Sequence, residues 1–149
     1  MLENHIDLDN TVLIGMQPRG IYVSDRIVEE IMKEIPPQKV KYGKLDITFY
    51  RDDVRTQLHL ANKTDINFSI EGAQVVLIDD VLYTGRTIRA ALDALLDFGR
   101  PDKVELCILV DRRFNRQLPI QPDYVGKSID TITSQKVKVL ADKHEVVLY

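Results

Sequence analysis

Three short apolar runs constrain this chain more than any other feature. Thr11-Val12-Leu13-Ile14 and Val75-Val76-Leu77-Ile78 are apolar on successive residues rather than alternate ones, and Val104 to Val110 is broken only by the acid Glu105. A strand with one wet face alternates, whereas a run this continuous is buried on both faces, as in a parallel sheet packed between helices. Helical spacing fills the gaps between the runs. Ile27, Val28, Ile31, Met32 and Ile35 recur at helix period until Pro36-Pro37 stops them. Ile88, Ala91, Leu92 and Leu95 form a second apolar face, with Gly99 placed to end the helix and Pro101 just beyond. Strand and helix in alternation predict an α/β domain with a mostly parallel central sheet flanked by helices.

Leu45, Ile47 and Phe49 alternate with Asp46, Thr48 and Tyr50, which is strand period. From Arg51 to about Gly72 the chain is polar with little periodicity, and reads as a long loop or mobile flap. After Asp111 it turns basic and proline-rich through Arg112, Arg113, Arg116, Pro119 and Pro122. Alternation returns at Val137 and Val139, breaks near Asp142-Lys143-His144, and resumes at Val146-Val147-Leu148, so smaller β elements are expected at the C-terminal end.

Length and charge narrow the field. The 149 residues suit a single domain over 1–149. Lys and Arg total 20 against 23 Asp and Glu, so the formal net charge of −3 gives the whole chain no broad attraction to nucleic acid or anionic membrane. Cys107 is the one cysteine, which excludes an internal disulfide framework and a multi-cysteine zinc site; within a core strand it reads as a small apolar residue. Apolar runs stop at strand length, and Met1 to Asp7 lack the basic and apolar regions of a signal peptide, so a cytoplasmic protein without membrane contact is expected. His5, His59 and His144 are scattered, and Ser24, Ser69, Ser128 and Ser134 lack a nucleophile-elbow pattern.

The segment that carries chemistry is Val75 to Thr87, VVLIDDVLYTGRT. A buried strand runs into Asp79 and Asp80, then into a short loop holding Thr84, Gly85 and Thr87, then into a helix. Ligands of open α/β sheets bind beyond the carboxyl ends of strands. Gly85 lets backbone approach a ligand, and the amides of residues 84–87 open a helix, where unsatisfied N–H groups and the dipole favour an anion. No Lys follows Gly85 as a P-loop would require. Asp79 and Asp80 suit the two hydroxyls of a ribose whose 5-phosphate sits in that cradle; a plain role as dipole partners or caps is the competing reading.

This segment resembles the phosphoribosyl-pyrophosphate (PRPP) signature of type I phosphoribosyltransferases. More narrowly, it is similar to the bifunctional pyrimidine operon attenuator / uracil phosphoribosyltransferase family. Further segments match in order: Gly15 to Tyr22, Leu45 to Asp53, Leu109 to Arg112, Leu118 to Ile120, and Asp123 to Lys127, so that the likeness spans about residues 10–130. It implies the type I phosphoribosyltransferase fold, with a small hood and a flexible loop. It implies a glycosyltransferase that moves phosphoribosyl from PRPP to uracil, giving UMP and pyrophosphate, with Mg²⁺ bound mainly through PRPP and no firm protein ligands.

Residue by residue, the resemblance implies a pyrophosphate loop at Gly15–Gly20 with Pro18 and Arg19 as contacts. It places Arg51 against substrate at the start of the flexible loop, and Arg112 and Val125 near the base. Asp79, Asp80, Val81, Leu82, Tyr83, Thr84, Gly85, Arg86 and Thr87 would hold PRPP or UMP, with Asp79 and Asp80 catalytic in orienting the ribose. A solvated loop position is the competing reading for Arg19, and an ion pair with Asp52 or Asp53 that for Arg51. The resemblance implies an N-terminal helical segment before the first core strand in relatives, which this sequence is expected to lack, and a flexible loop a few residues longer than the one here. Two alternatives stand beside the uracil enzyme. One is a UMP-responsive, RNA-binding regulator of pyrimidine genes, using a patch of Arg112, Arg113, Arg116, Lys127, Lys136 and Lys138. The other is a phosphoribosyltransferase for a different base. A homodimer or larger homo-oligomer is implied by the family.

Overall fold

The structure is a computed structural model that describes residues 8–47, 64–132 and 134–149. Its frame is a five-stranded, all-parallel sheet in the order β2-β1-β3-β4-β5. The apolar runs supply β1 (Thr11–Met16), β3 (Gln74–Leu82) and β4 (Lys103–Arg113), with β2 (Lys41–Leu45) and β5 (Tyr124–Asp130) at the edges. Two helices, α1 (Gly20–Met32) and α2 (Arg86–Leu95), follow β1 and β3, and an antiparallel hairpin of β6 (Val137–Leu140) and β7 (Glu145–Leu148) closes the chain.

The pleat explains why the central runs are continuous. Val12 and Ile14 of β1, with Val75 and Leu77 of β3, join one buried cluster with Ile88, Ala91 and Leu95 of α2. Leu13, Val76 and Ile78 turn the other way, onto Val23, Val28 and Ile31 of α1. Successive side chains of a strand alternate faces, so the middle of a strand in a sheet covered on both sides reads as apolar on successive residues.

Several boundaries differ from the sequence reading. β3 continues through Asp79 and Asp80 to Leu82, so the two acids belong to the strand's own end. β2 stops at Leu45; Gln17 N donates to the Leu45 carbonyl at 2.9 Å, and Asp46 N turns instead to Thr64 Oγ1 at 3.0 Å. Ile47 is buried outside any strand, and Phe49 lies outside the described residues. Of the expected flap, residues 51–63 also lie outside them, while Asp65 forms an antiparallel bridge with Lys44. In α2 the buried arc runs through Ala90 and Ala94; the small alanines let the helix settle toward their side, leaving Leu92 at the arc's edge and 40% exposed. In α1, Met32 is likewise exposed at the last turn.

Candidate active site

The chain leaves β1 toward β2 and leaves β3 toward β4, although β1 and β3 are neighbours. Loops at their carboxyl ends therefore part in opposite directions and open a crevice, the usual ligand position in an open α/β sheet. One wall is the loop Gln17-Pro18-Arg19, in which the Gln17–Pro18 peptide is cis and Pro18 and Arg19 are exposed. The other wall is the end of β3 and the start of α2.

Gly20 brings the walls together. A Cβ there would stand 2.8 Å from the Ile78 carbonyl oxygen, so only glycine allows α1 to begin this close to β3. Asp79 and Asp80 are both buried at the strand end. Asp79 Oδ1 accepts from Asp80 N at 2.9 Å, and Asp80 Oδ1 accepts from Val81 N at 2.7 Å, which orients each carboxylate along the chain. Burial pushes the Asp79 carboxyl well above the usual range and the adjacent Asp80 charge pushes it further, while Arg19 across the crevice pulls it back. A buried acid beside a second acid is poised to take hydroxyl donors or positive charge.

Beyond the acids, Gly85 has φ +94° and caps α2 in the left-handed region, a conformation glycine adopts without a Cβ penalty. Thr84 Oγ1 accepts from Arg86 N at 3.3 Å. Asp79, Val81 to Ile88 and Gln117 line a cavity of about 330 Å³, into which the helix N-terminus opens. Its dipole and amides suit an anion. A larger cavity of about 650 Å³ lies between α1, β4 and the hairpin, lined by Ile27, Ile31, Leu109 and Val146 among others, away from the carboxylate pair.

The other expected site residues fall in different places. Arg112 is buried at the end of β4, where its Nε donates to Thr131 Oγ1 at 2.9 Å and its Nη2 to the Gln135 carbonyl at 2.7 Å. Its guanidinium lies 4.0 Å from the Tyr83 ring centroid, which ties it to the cradle loop. Val125 is 46% exposed on the edge strand β5, paired with Ile108; β4 stands between it and Asp79. Arg51 lies outside the described residues.

Sequence reasoning grouped Arg116 with a basic surface, and the structure turns it inward. Its Nε donates to the Ile120 carbonyl at 2.7 Å, Nη1 to the Tyr83 carbonyl at 2.6 Å and Nη2 to Asp111 Oδ1 at 2.6 Å. Gln117 N and Leu118 N both donate to the Thr84 carbonyl, at 2.9 and 3.2 Å. Gln117 Oε1 also accepts from Arg86 Nε at 2.8 Å. Residues 116–120 thus brace the cradle; the signal for this in sequence was only their place after β4. Arg113 stays on the surface, in an exposed ion pair with Asp130 at 2.7 Å. Of the expected basic patch, Arg112 and Arg116 turn inward, while Arg113, Lys127, Lys136 and Lys138 are exposed.

Comparison with known proteins accords with this geometry. The phosphoribosyl transferase domain model matches residues 1–143. A "Bifunctional protein PyrR" from Limosilactobacillus fermentum is 45% identical over 149 aligned residues, covering 97% of this chain and 82% of that protein. Another from Bacillus cereus is 46% identical over 143 residues, covering 93% and 78%. Among solved structures, a hypoxanthine phosphoribosyltransferase from Staphylococcus aureus has a TM-score of 0.62 at 22% identity, over 87% of this chain and 67% of its own, a likeness of fold. A family model matched over nearly the whole length, together with relatives this similar, places the chain in the type I phosphoribosyltransferases, as a member of the bifunctional PyrR family.

Proposed function

We propose that the protein transfers the phosphoribosyl group of PRPP to uracil, giving UMP and pyrophosphate. The observation that carries this reading is the buried Asp79–Asp80 pair opening directly onto the glycine-capped start of α2, opposite Arg19 across the β1–β3 crevice. A ribose 5-phosphate fits that order of groups. The phosphate takes the amides and hydroxyls of residues 84–87, and the two ribose hydroxyls donate to Asp79 and Asp80. The Pro18–Arg19 loop faces the pyrophosphate, which a guanidinium matches in geometry. Arg112 and Val125 are the base-side residues, and Arg51 is a further substrate contact.

In the reaction the bond between C1′ and the pyrophosphate oxygen breaks and its electron pair leaves with the oxygen. Uracil N1 bonds to C1′ and gives up its proton to solvent. Positive charge grows on the ribose as the leaving group departs, and the Asp79–Asp80 pair is placed to stabilise it. Holding both reactants in one crevice supplies much of the rest.

Among the described residues no group of three or more His, Cys, Asp and Glu side chains could cage a metal. Two carboxylates beside a phosphate cradle fit Mg²⁺, which would be held chiefly by the diphosphate, with Asp79 and Asp80 as the protein groups beside it. When bound, Mg²⁺ would neutralise charge on the departing pyrophosphate. The test is Asp79→Asn, which keeps shape and removes charge: the variant is expected to fold and to lose most turnover, and undiminished turnover would sink the assignment.

A second reading is favoured by the relatives' description as bifunctional. In it the UMP-loaded protein binds RNA and regulates pyrimidine genes, with Lys127, Lys136 and Lys138 as exposed phosphate contacts. RNA affinity that rises with UMP and falls steeply with salt would support it.

A further inference from the structure

A loop that presents N–H groups to an anion must send its carbonyls elsewhere, because each peptide carries both and a carbonyl dipole aimed at the ligand opposes binding. The cradle loop meets this demand at three successive residues. The Gly85 carbonyl accepts from Arg89 N at 3.0 Å, the first bond of α2. Gln117 N and Leu118 N donate to the Thr84 carbonyl. The Tyr83 carbonyl accepts from Arg116 Nη1 at 2.6 Å. Two of the three anchors therefore come from the segment after β4, and Arg116 supplies the charged one.

We propose that Arg116 is a positioning residue that fixes the shape of the Thr84–Thr87 cradle by anchoring its Tyr83 carbonyl to the end of β4. This rests on the reading of that loop as the site for the ribose phosphate. Three nitrogens of one rigid planar group reach three separate places: the Ile120 carbonyl, the Tyr83 carbonyl and Asp111 Oδ1. Because the fork is planar, fixing two of these bonds fixes the direction of the third. Asp111 is itself buried at the carboxyl end of β4, in register with Leu82, and balances the guanidinium charge. A lysine here would bring one nitrogen and could not hold all three.

Without the fork, the Tyr83 carbonyl is free to turn, and the amides that follow it lose their common direction. The loss falls on phosphate binding, which is made in ground and transition states alike, so it shows in KM rather than kcat. Three readouts separate this from a general loss of stability. In the full-length, ligand-free protein, the backbone amide NMR shifts of Thr84 to Thr87 are expected to move in both Arg116→Ala and Arg116→Lys. The KM for PRPP and the Kd for UMP are expected to rise roughly tenfold to a hundredfold, with kcat within about threefold of wild type. Methylguanidinium is expected to restore the KM of Arg116→Ala and to leave that of wild type unchanged. Arg116→Lys keeps the charge and the stem, so it covers the case in which Arg116→Ala fails to fold. Unmoved amide shifts, or an unchanged KM in both variants, would overturn the positioning role. Wild-type protein that binds neither UMP nor PRPP would overturn the phosphate reading itself, a different outcome from variants that bind as wild type does.

Discussion

Gly20 and Asp79 meet across the gap between α1 and β3, so closely that a Cβ on Gly20 would stand 2.9 Å from Asp79 Oδ1 and 3.0 Å from its Cα. The first residue of a helix thereby sets the position of a buried carboxylate. Gly20→Ala must push α1 away from the strand end or displace the carboxylate. Forced overpacking of this kind costs about 1–3 kcal/mol, and turnover is expected to fall further than the stability loss explains. Gly72→Ala is the comparison: nothing lies within 4 Å of its Cβ, but φ is +70°. Left-handed strain alone costs about 1–2 kcal/mol, and turnover should be untouched. Thermal melts and initial rates on the two variants check both statements; a Gly20→Ala protein as active as Gly72→Ala would mean the contact yields without consequence.

Asp79 makes stability depend on pH in an unusual direction. Burial and Asp80 hold its carboxyl above the ordinary value of 3.8, so the folded state keeps a proton that the unfolded state has lost. Between 3.8 and the raised folded value the folded chain binds more protons, and the contribution of this group to stability falls as pH rises. Asp79→Asn abolishes that slope. In metal-free buffer without ligand, the melting temperature of the variant relative to wild type is expected to climb as pH is raised above 3.8. A constant difference across the range would show that the carboxyl is ionised throughout.

Cys107 is buried in β4, and burial pushes its thiol up to about 11. Thiolate is the reactive form, so a disulfide reagent at pH 8 should label the folded protein far more slowly than the urea-unfolded chain. Labelling at equal rates in both states would contradict the burial.

Arg112 spends its charge inside the protein, on Thr131, the Gln135 carbonyl and the Tyr83 ring. Arg112→Ala leaves those acceptors without their donor, at about 1–3 kcal/mol. Arg112→Lys is expected to recover less than half of that, because lysine lacks the planar fork. Urea denaturation of the pair measures it, and a fully stable lysine variant would show that the fork is dispensable.

The layers of the fold were legible because burial on both faces leaves a mark at successive residues through the middle of β1, β3 and β4. The Val137 to Leu148 hairpin was legible too, from alternation on either side of a polar turn, and it stands as β6 and β7. β5 was not: Val125 to Ser128 are exposed, so no apolar run announces the strand. The acids and the glycine of the cradle could be read from their order between strand and helix, since local chain geometry alone brings Asp79 to Thr87 together. Arg116 could not. Its partners Tyr83 and Asp111 belong to different strand ends that only the parallel pairing of β3 with β4 brings side by side, and a lone arginine in a basic stretch looks like surface charge.

The most direct measurement of the central claim is product identity when the protein is given PRPP, Mg²⁺ and labelled uracil, with labelled hypoxanthine in a parallel reaction. The account expects UMP and an equal amount of pyrophosphate from the first, and far less nucleotide from the second. Pyrophosphate release without UMP, or IMP formed in preference to UMP, would contradict it.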